Sequence, residues 1–248
     1  PRDYCPIADS LYHSPVPQEL VSYLESHRES LHPHIAGRMG ESGEGLSWPQ
    51  FFGDDIYAEE IFQTWTYARY TGELARAGKE ILNLPMYVNV ALDSRGRLPG
   101  QYPSGGPLAQ LKDIWHCAAP SIDVLGVDIY DSGVSGWMER YHLADNPLFI
   151  PEIRLEDKAA HYALYAYGHH DAMGFCPFSI EDCPLLAGDS GNDWRNTDMS
   201  ADDQLNAYTR VTDRLSPIAS AYSLMNSIEE LVLARQGSDD MDAVLLDD

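Results

Sequence analysis

The feature that most constrains the fold is a regular alternation of short apolar runs and helix-like segments. Four runs have strand length and are almost continuously apolar: LPMYVNVAL (84–92), IDVLGVDIY (122–130), NPLFIPEI (146–153) and MGFCPFSI (173–180). Segments with helical spacing of apolar residues separate them. Continuous apolar runs are typical of strands covered on both faces, and the alternation predicts parallel βαβ units. The sequence therefore predicts an α/β fold.

Two α/β architectures fit this pattern. The repeat of roughly 30 residues per unit is typical of a (β/α)₈ TIM barrel, but four strands are half of what a closed barrel needs. The sequence therefore predicts the C-terminal half of a barrel, strands 5–8. The alternative is a small open doubly wound sheet. No glycine-rich phosphate loop follows any of the runs, so a nucleotide site is disfavoured.

The part of the chain before these units has no strand pattern. Residues 1–56 are rich in Pro, His, Gly and Ser, and they predict irregular structure apart from a helix in QELVSYLESHRESL (18–31). A long helix is expected at 57–77, ended by Gly78. Near the other end, helices are expected over 203–235.

The chain is strongly acidic, which limits its partners. It has 16 Lys+Arg against 39 Asp+Glu, a formal net charge of −23. This charge repels phosphate backbones and anionic lipids, so we expect neither a nucleic acid nor a membrane as partner. Four cysteines without CxxC spacing argue against a disulfide framework.

Glu152 is the sharpest candidate for chemistry, because side chains at the carboxyl ends of strands carry function in α/β folds. It ends the third apolar run, and the two-residue period of a strand predicts that it points inward with Leu148 and Ile150. An ionised group there costs free energy unless it is paired or functional. Two interpretations stay open, a catalytic carboxylate and a structural ion pair with Arg154.

Four further polar side chains are predicted to bind substrate. Asp128 and Tyr130 share strand parity and can face one cavity; for Tyr130 the alternative is packing at the barrel rim. Asn89 lies in the first run, where a satisfied core amide is the alternative to a role in orienting the site. Ser179 ends the fourth run.

Other candidates are weaker. The His-His-Asp run at 169–171 lacks the i, i+3 or i, i+4 spacing of helical metal ligands, so we expect no metal; a metal hydrolase on these residues is the weakest hypothesis. Ser104 lies outside any GxSxG motif. Trp137 or Trp194 is a candidate platform for a sugar ring.

Several motifs together resemble glycoside hydrolase family 35. These are LPMYVNVAL, PGQYPSGGP, AAPSIDVLGVDIY, NPLFIPEIR and GFCPFSIED, and they are most similar to a bacterial β-galactosidase-like subgroup with an extra β-rich domain after the barrel. The resemblance implies an insert and helix after barrel strand 4 at 1–80, barrel units 5–8 at 81–236, and the start of the β-rich domain at 237–248.

The resemblance also implies an activity, retaining exo-hydrolysis of terminal β-galactosides without a cofactor, with Glu152 as nucleophile. Retaining chemistry needs a second carboxyl about 5–5.5 Å away as acid/base. In the family this residue follows an Asn after the fourth strand, but no Asn-Glu pair occurs here. We therefore expect a fragment that lacks its acid/base and is nearly inactive alone.

The sequence leaves open the exact function, the oligomeric state and the compartment of the protein. A non-catalytic carbohydrate-binding protein on a degenerate barrel, or a β-glycosidase for another sugar, would carry the same strand-end residues. In either case the partner is a carbohydrate, and a homo-oligomer is compatible with the sequence. The family likeness suggests the periplasm or secretion.

Overall fold

The computed structural model describes residues 1–40, 45–93, 96–180, 217–246 and 248. Four strands form one sheet in the order β1-β2-β3-β4. They are β1 (Tyr87–Ala91), β2 (Val124–Ile129), β3 (Phe149–Ile153) and β4 (Gly174–Pro177). The helices are α1 (Pro6–Tyr12), α2 (Gln18–Ser26), α3 (Pro33–Ala36), α4 (Trp48–Phe52), α5 (Ile56–Ile81), α6 (Lys112–Ala118), α7 (Val134–Tyr141), α8 (Ala159–His169) and α9 (Glu229–Arg235).

The chain divides into two compact units, residues 1–126 and 127–248, and the boundary falls inside β2. The first unit holds α1 to α6, β1 and the start of β2. The second holds the end of β2, then β3, β4 and α7 to α9, with helical backbone also at 217–227. β2 pairs with β3, and β3 with β4, in parallel. The predicted alternation of strand and helix, and with it the α/β class, is confirmed.

The first 56 residues contain more helix than their composition suggests, and the expectation of largely irregular structure there is wrong. Pro6, Pro33 and Pro49 lie in the first turns of α1, α3 and α4, where the missing N–H has no helical partner to lose. At α4 the backbone N–H of Ser47 donates to Gln50 Oε1 at 2.9 Å, as in a capping box. These prolines therefore start helices instead of breaking them.

The long helix α5 extends past its expected end. The Asp55 carboxylate caps its first turn by accepting two backbone N–H groups. Gly78 lies inside the helix and Leu82 is the C-cap. Glycine disfavours a helix by only about 1 kcal/mol, and Lys79 Nζ donates to Asp123 Oδ2 at 2.5 Å from the last turn. The prediction that Gly78 ends the helix is therefore wrong.

Helix α5 packs on both α6 and α4. Its side chains Ile61, Trp65 and Ala68 are buried. At Gly72 a Cβ would lie only 2.8 Å from Ala119 Cα. The close approach of α5 and α6 therefore requires glycine at this position.

In each unit, one face of the edge strand is buried and the other is exposed. In β1 of the first unit, Val90 is buried while Tyr87 is 55% exposed. In β4 of the second unit, Phe175 is buried while Cys176 is exposed. The residue after β4, Phe178, is 54% exposed. The apolar runs predicted strands that are covered on both faces, whereas β1 and β4 each have one exposed face.

Two chain-wide features complete the description. No helix in the described part of the chain combines the length and the apolar character needed to cross a bilayer. Cys5, Cys117 and Cys176 are free thiols. Cys183, Trp194 and residues 203–216 of the helical region expected at 203–235 lie outside the described residues.

Candidate functional site

The carboxyl ends of β2 and β3 bring three predicted side chains together. Asp128 of β2 and Glu152 of β3 are Cα partners across the two strands. Tyr130 directly follows β2, and its hydroxyl donates a hydrogen bond to Glu152 Oε2 at 2.9 Å. Neighbouring parallel strands end at the same edge of a sheet, which is why side chains distant in sequence meet here.

The environment of Tyr130 keeps its hydroxyl a hydrogen-bond donor. Partial burial, the hydrogen bond to Glu152 and the negative charges of Glu152 and Asp128 raise the pKa of Tyr130 to about 12. The phenol therefore stays protonated at neutral pH. Tyr130 is 38% exposed and Glu152 is half-buried, so the pair can be reached from solvent.

Arg154 fixes the backbone on which Tyr130 stands. Its guanidinium Nη2 donates to the Tyr130 carbonyl at 2.6 Å, and its backbone N–H donates to the Ile129 carbonyl at 3.0 Å. Within the described residues Arg154 forms no ion pair with Glu152. The structural ion pair that was the alternative role for Glu152 is therefore not formed.

The end of β4 adds an aromatic ring to the site. The backbone N–H of Phe178 donates to the Ile153 carbonyl at 2.9 Å, and its ring meets Tyr130 edge-on at 6.3 Å between centroids. The next residue, Ser179, is half-buried and has φ of +59°, a left-handed conformation that is uncommon for serine. Asp128, Tyr130, Glu152 and Phe178 are called the strand-end cluster below.

A cavity of about 900 Å³ adjoins the strand-end cluster. It is lined by the ends of β2 and β3 and the loops that follow them, including Tyr130, Arg154, Lys158 and Tyr162. This volume lies within the range of small-molecule pockets. Glu152 does not line the cavity. Tyr130 lines it, and the hydroxyl of Tyr130 is hydrogen-bonded to Glu152.

Glu152 is less buried than Leu148 and Ile150, the two residues with which it was predicted to point inward. Leu148, Ile150 and Ile153 are buried, whereas Glu152 is half-buried. The register of β3 against β4 is irregular between Ile150 and Ile153, which breaks the two-residue alternation of the strand. The Glu152 carboxylate accepts the hydrogen bond from Tyr130 at this irregular part of the strand.

Two predicted residues do not belong to the strand-end cluster. Asn89 is in the first unit and is exposed on β1, so it does not have the core position of its alternative role. Trp137 is only 6% exposed, and the guanidinium carbon of Arg140 stands 4.4 Å from the centroid of its ring. The prediction of Trp137 as a sugar platform is therefore wrong.

The histidine run forms a hydrogen-bonded network. His169 Nδ1 lies 2.6 Å from Asp242 Oδ1, and His170 Nδ1 lies 3.1 Å from His142 Nδ1. Burial lowers the pKa of His170 to about 4, so its ring is neutral at physiological pH. Among the residues that the structure describes, no three His, Cys, Asp or Glu side chains are grouped to hold a metal ion.

Sequence reasoning missed one member of the cluster, Phe178, and did not identify the carbonyl group of Tyr130 as the partner of Arg154. Phe178 lies two positions beyond Cys176, so strand parity could have placed it on the exposed face. The role of Arg154 depends on a contact with a backbone carbonyl 24 residues away, which periodicity cannot show.

Comparison with known proteins gives no identification. No family model matches the chain, and no curated protein matches it. The function is therefore argued from the strand-end cluster and from the motifs.

Proposed function

We propose that Glu152 is the nucleophile of a retaining, exo-acting β-galactosidase-type glycoside hydrolase, and that this chain forms the C-terminal half of its (β/α)₈ barrel. The observation that carries the proposal is the hydrogen bond from Tyr130 to Glu152 at the ends of adjacent parallel strands. Catalytic carboxylates stand at this position in barrel enzymes. The choice of galactose depends on the resemblance to family 35 alone.

The proposed chemistry has two steps. The Glu152 carboxylate attacks the anomeric carbon while an acid protonates the leaving-group oxygen, and a glycosyl–enzyme ester forms as the glycosidic bond breaks. Water then gives a proton to the same acid/base group, attacks the anomeric carbon and releases Glu152. Tyr130 holds Oε2 of the carboxylate, and such positioning favours attack in one geometry.

The proposal requires an acid/base residue outside this chain, because the chain contains no Asn-Glu pair. The exposed sides of β1 and β4, marked by Tyr87 and Cys176, are consistent with strands that the rest of a barrel would cover. Loss of general acid–base assistance alone costs about 10²–10⁴-fold in rate. We therefore expect little or no hydrolysis by this chain on its own.

Chemical rescue tests the role of Glu152. In the complete protein, Glu152→Ala removes the nucleophile and leaves space for azide beside the anomeric carbon. With an activated aryl β-galactoside, azide should restore turnover and give the α-galactosyl azide, since azide attacks from the side that Glu152 occupied. Glu139→Ala, at an exposed position on α7, is the control and should keep full activity. Full activity of Glu152→Ala would contradict the proposal.

A second candidate function is carbohydrate binding without cleavage. The exposed ring of Tyr130 favours it, because Tyr130 lines the cavity and can stack on a sugar ring, and the exposed ring of Phe178 packs edge-on against it. The two functions require different residues in the half of the proposed barrel that is not part of this chain. An Asn-Glu pair at a strand end in the preceding part of the protein supports the enzyme, and any other residue there supports the binding protein.

A further inference from the structure

Glu60 is a carboxyl group placed where an ion is costly. It lies in the second turn of α5 in the first unit and is 1% exposed. Its neighbours along the helix, Ile61 and Phe62, are buried as well. Burial of an ionised carboxylate without full compensation costs several kcal/mol. The environment therefore favours the protonated form of Glu60.

The hydrogen bonds around Glu60 are few. The hydroxyl of Tyr102 donates to Oε2 of Glu60 at 3.2 Å. The other oxygen, Oε1, is buried and accepts no hydrogen bond from any described residue. The hydroxyl of Tyr102 is therefore the main hydrogen-bond donor to a negatively charged Glu60, and Tyr102 lies in a loop.

That loop is residues 100–107, which follow β1 and are called the 100–107 loop. It closes tightly on α5 and β1. Gly105 has φ of +95°, and a Cβ there would lie 2.6 Å from the ring of Tyr67 on α5. A Cβ at Gly106 would lie 3.0 Å from Val90 on β1. Within the loop, the backbone N–H of Gly100 donates to Ser104 Oγ at 2.7 Å.

The charged surroundings oppose ionisation of Glu60. Burial is the main cause that raises its pKa to about 7, and the negative charge of Asp93 adds to it. The hydroxyls of Tyr102 and Ser104 act in the opposite direction but more weakly. Among the residues that the structure describes, Tyr57 lies near Tyr102, and Glu59, the neighbour of Glu60 in the chain, pairs with Arg2.

We propose that Glu60 is a pH-sensitive latch for the 100–107 loop. While Glu60 is protonated, the loop stays packed on α5 with Tyr102 over the carboxyl group. When Glu60 loses its proton, the carboxylate needs water, and the loop must lift to admit it. This device does not depend on the role of Glu152, since all its parts lie in the first unit.

Thermodynamic linkage makes the latch measurable. A closed loop that favours protonated Glu60 binds the proton more tightly than an open loop does. The equilibrium between closed and open loop must therefore shift toward open as the pH rises from about 4.5, the ordinary pKa of the carboxyl group, to its pKa of about 7 in the closed loop. Local opening of this kind appears in the exchange of backbone amides with solvent.

Hydrogen exchange of the full chain tests the latch at the amides of Gly100, Tyr102, Ser104 and Gly106. After correction for the intrinsic pH dependence of exchange, wild-type protection should fall at least about tenfold between about pH 5.5 and pH 8. Glu60→Gln keeps the shape and cannot ionise, so its protection should stay constant. Equal pH dependence in both proteins would overturn the proposal.

Two further measurements separate the latch from a purely structural role. Glu73→Gln, at an exposed position of the same helix, should behave as wild type. Tyr102→Phe removes a hydroxyl that supports the charge, so the pH at which the loop opens should rise. If Glu60→Gln does not fold, NMR titration of the Glu60 carboxyl in wild type decides. A midpoint near 7 supports the latch, and one near the ordinary value of 4.5 overturns it.

Discussion

At the scale of single residues, the proposed role of Glu152 depends on the hydroxyl of Tyr130, although this side chain is part-exposed. It is the described donor to Glu152 and stays protonated over the physiological pH range. A hydrogen bond to a charged group is worth about 1.5–3 kcal/mol. Its loss should therefore be visible in the rate of any reaction that Glu152 performs.

The corresponding variant is Tyr130→Phe in the complete protein. We expect kcat for an aryl β-galactoside to fall by roughly 10–100-fold, because the nucleophile loses the bond that orients it. KM should change much less, and the free energy of unfolding should drop by no more than about 1 kcal/mol, since the hydroxyl is part-exposed. Steady-state kinetics and urea denaturation measure these quantities. An unchanged kcat would show that Tyr130 does not position Glu152.

Glu60 makes a separate prediction about stability. The folded chain holds the Glu60 proton up to about pH 7, whereas an unfolded chain loses it near 4.5. The free energy of unfolding must therefore fall as the pH rises through this window, by about 3 kcal/mol. Glu60→Gln should remove this loss and be more stable than wild type at pH 7.5.

The comparison must be between the two proteins at each pH. Burial lowers the pKa of His34 and His170 to about 4, so these groups destabilise the fold as the pH falls below 6.5, the opposite direction. Subtracting the wild-type curve from the Glu60→Gln curve cancels them. A difference that does not vary with pH would contradict the burial of a neutral Glu60.

At the scale of elements, two glycines of α5 should respond oppositely to the same change. Gly72→Ala places a Cβ against the backbone of Ala119, and overpacking of this kind costs about 1–3 kcal/mol. Gly78→Ala meets only Met86 Cε, at 3.3 Å, which is the end of a flexible side chain. It should stabilise the chain by about 0.5–1 kcal/mol through helix propensity. Urea midpoints that move in the same direction would refute this account of the α5–α6 contact.

The sequence predicts elements better than it predicts their ends. The alternation of strand and helix was readable because each run is apolar over strand length. Pro6, Pro33 and Pro49 misled the prediction, because proline is both a helix breaker and a favoured first-turn residue. Gly78 misled it because a tertiary contact of Lys79 extends the helix.

The candidate site shows the same limit. Asp128, Tyr130 and Glu152 could be placed at strand ends from sequence, because parallel strands end at one edge. The hydrogen bond between the Tyr130 hydroxyl and the Glu152 carboxylate could not, since strand periodicity does not show which side chains meet. Glu60 was missed altogether, because its hydrogen bond with Tyr102 joins residues 42 positions apart, which the periodicity of α5 does not show.

At the scale of the whole molecule, the proposal treats this chain as half of a catalytic barrel. The exposed Tyr87 of the first unit and Phe178 of the second should then be covered in the complete protein. An apolar dye should fluoresce more strongly with this chain than with an equal concentration of the complete protein. This chain should also hydrolyse aryl β-galactosides at least about 10²-fold more slowly. Equal dye binding and equal activity would contradict a half barrel.

The central claim is that Glu152 attacks an anomeric carbon, and trapping the covalent intermediate tests it most directly. The complete protein would be inactivated with an activated 2-deoxy-2-fluoro-β-galactoside, digested, and sequenced by tandem mass spectrometry. We predict one fluorogalactosyl group, on the peptide that contains NPLFIPEIR, esterified to Glu152. A label on any other residue, or inactivation without a covalent label, would contradict the account.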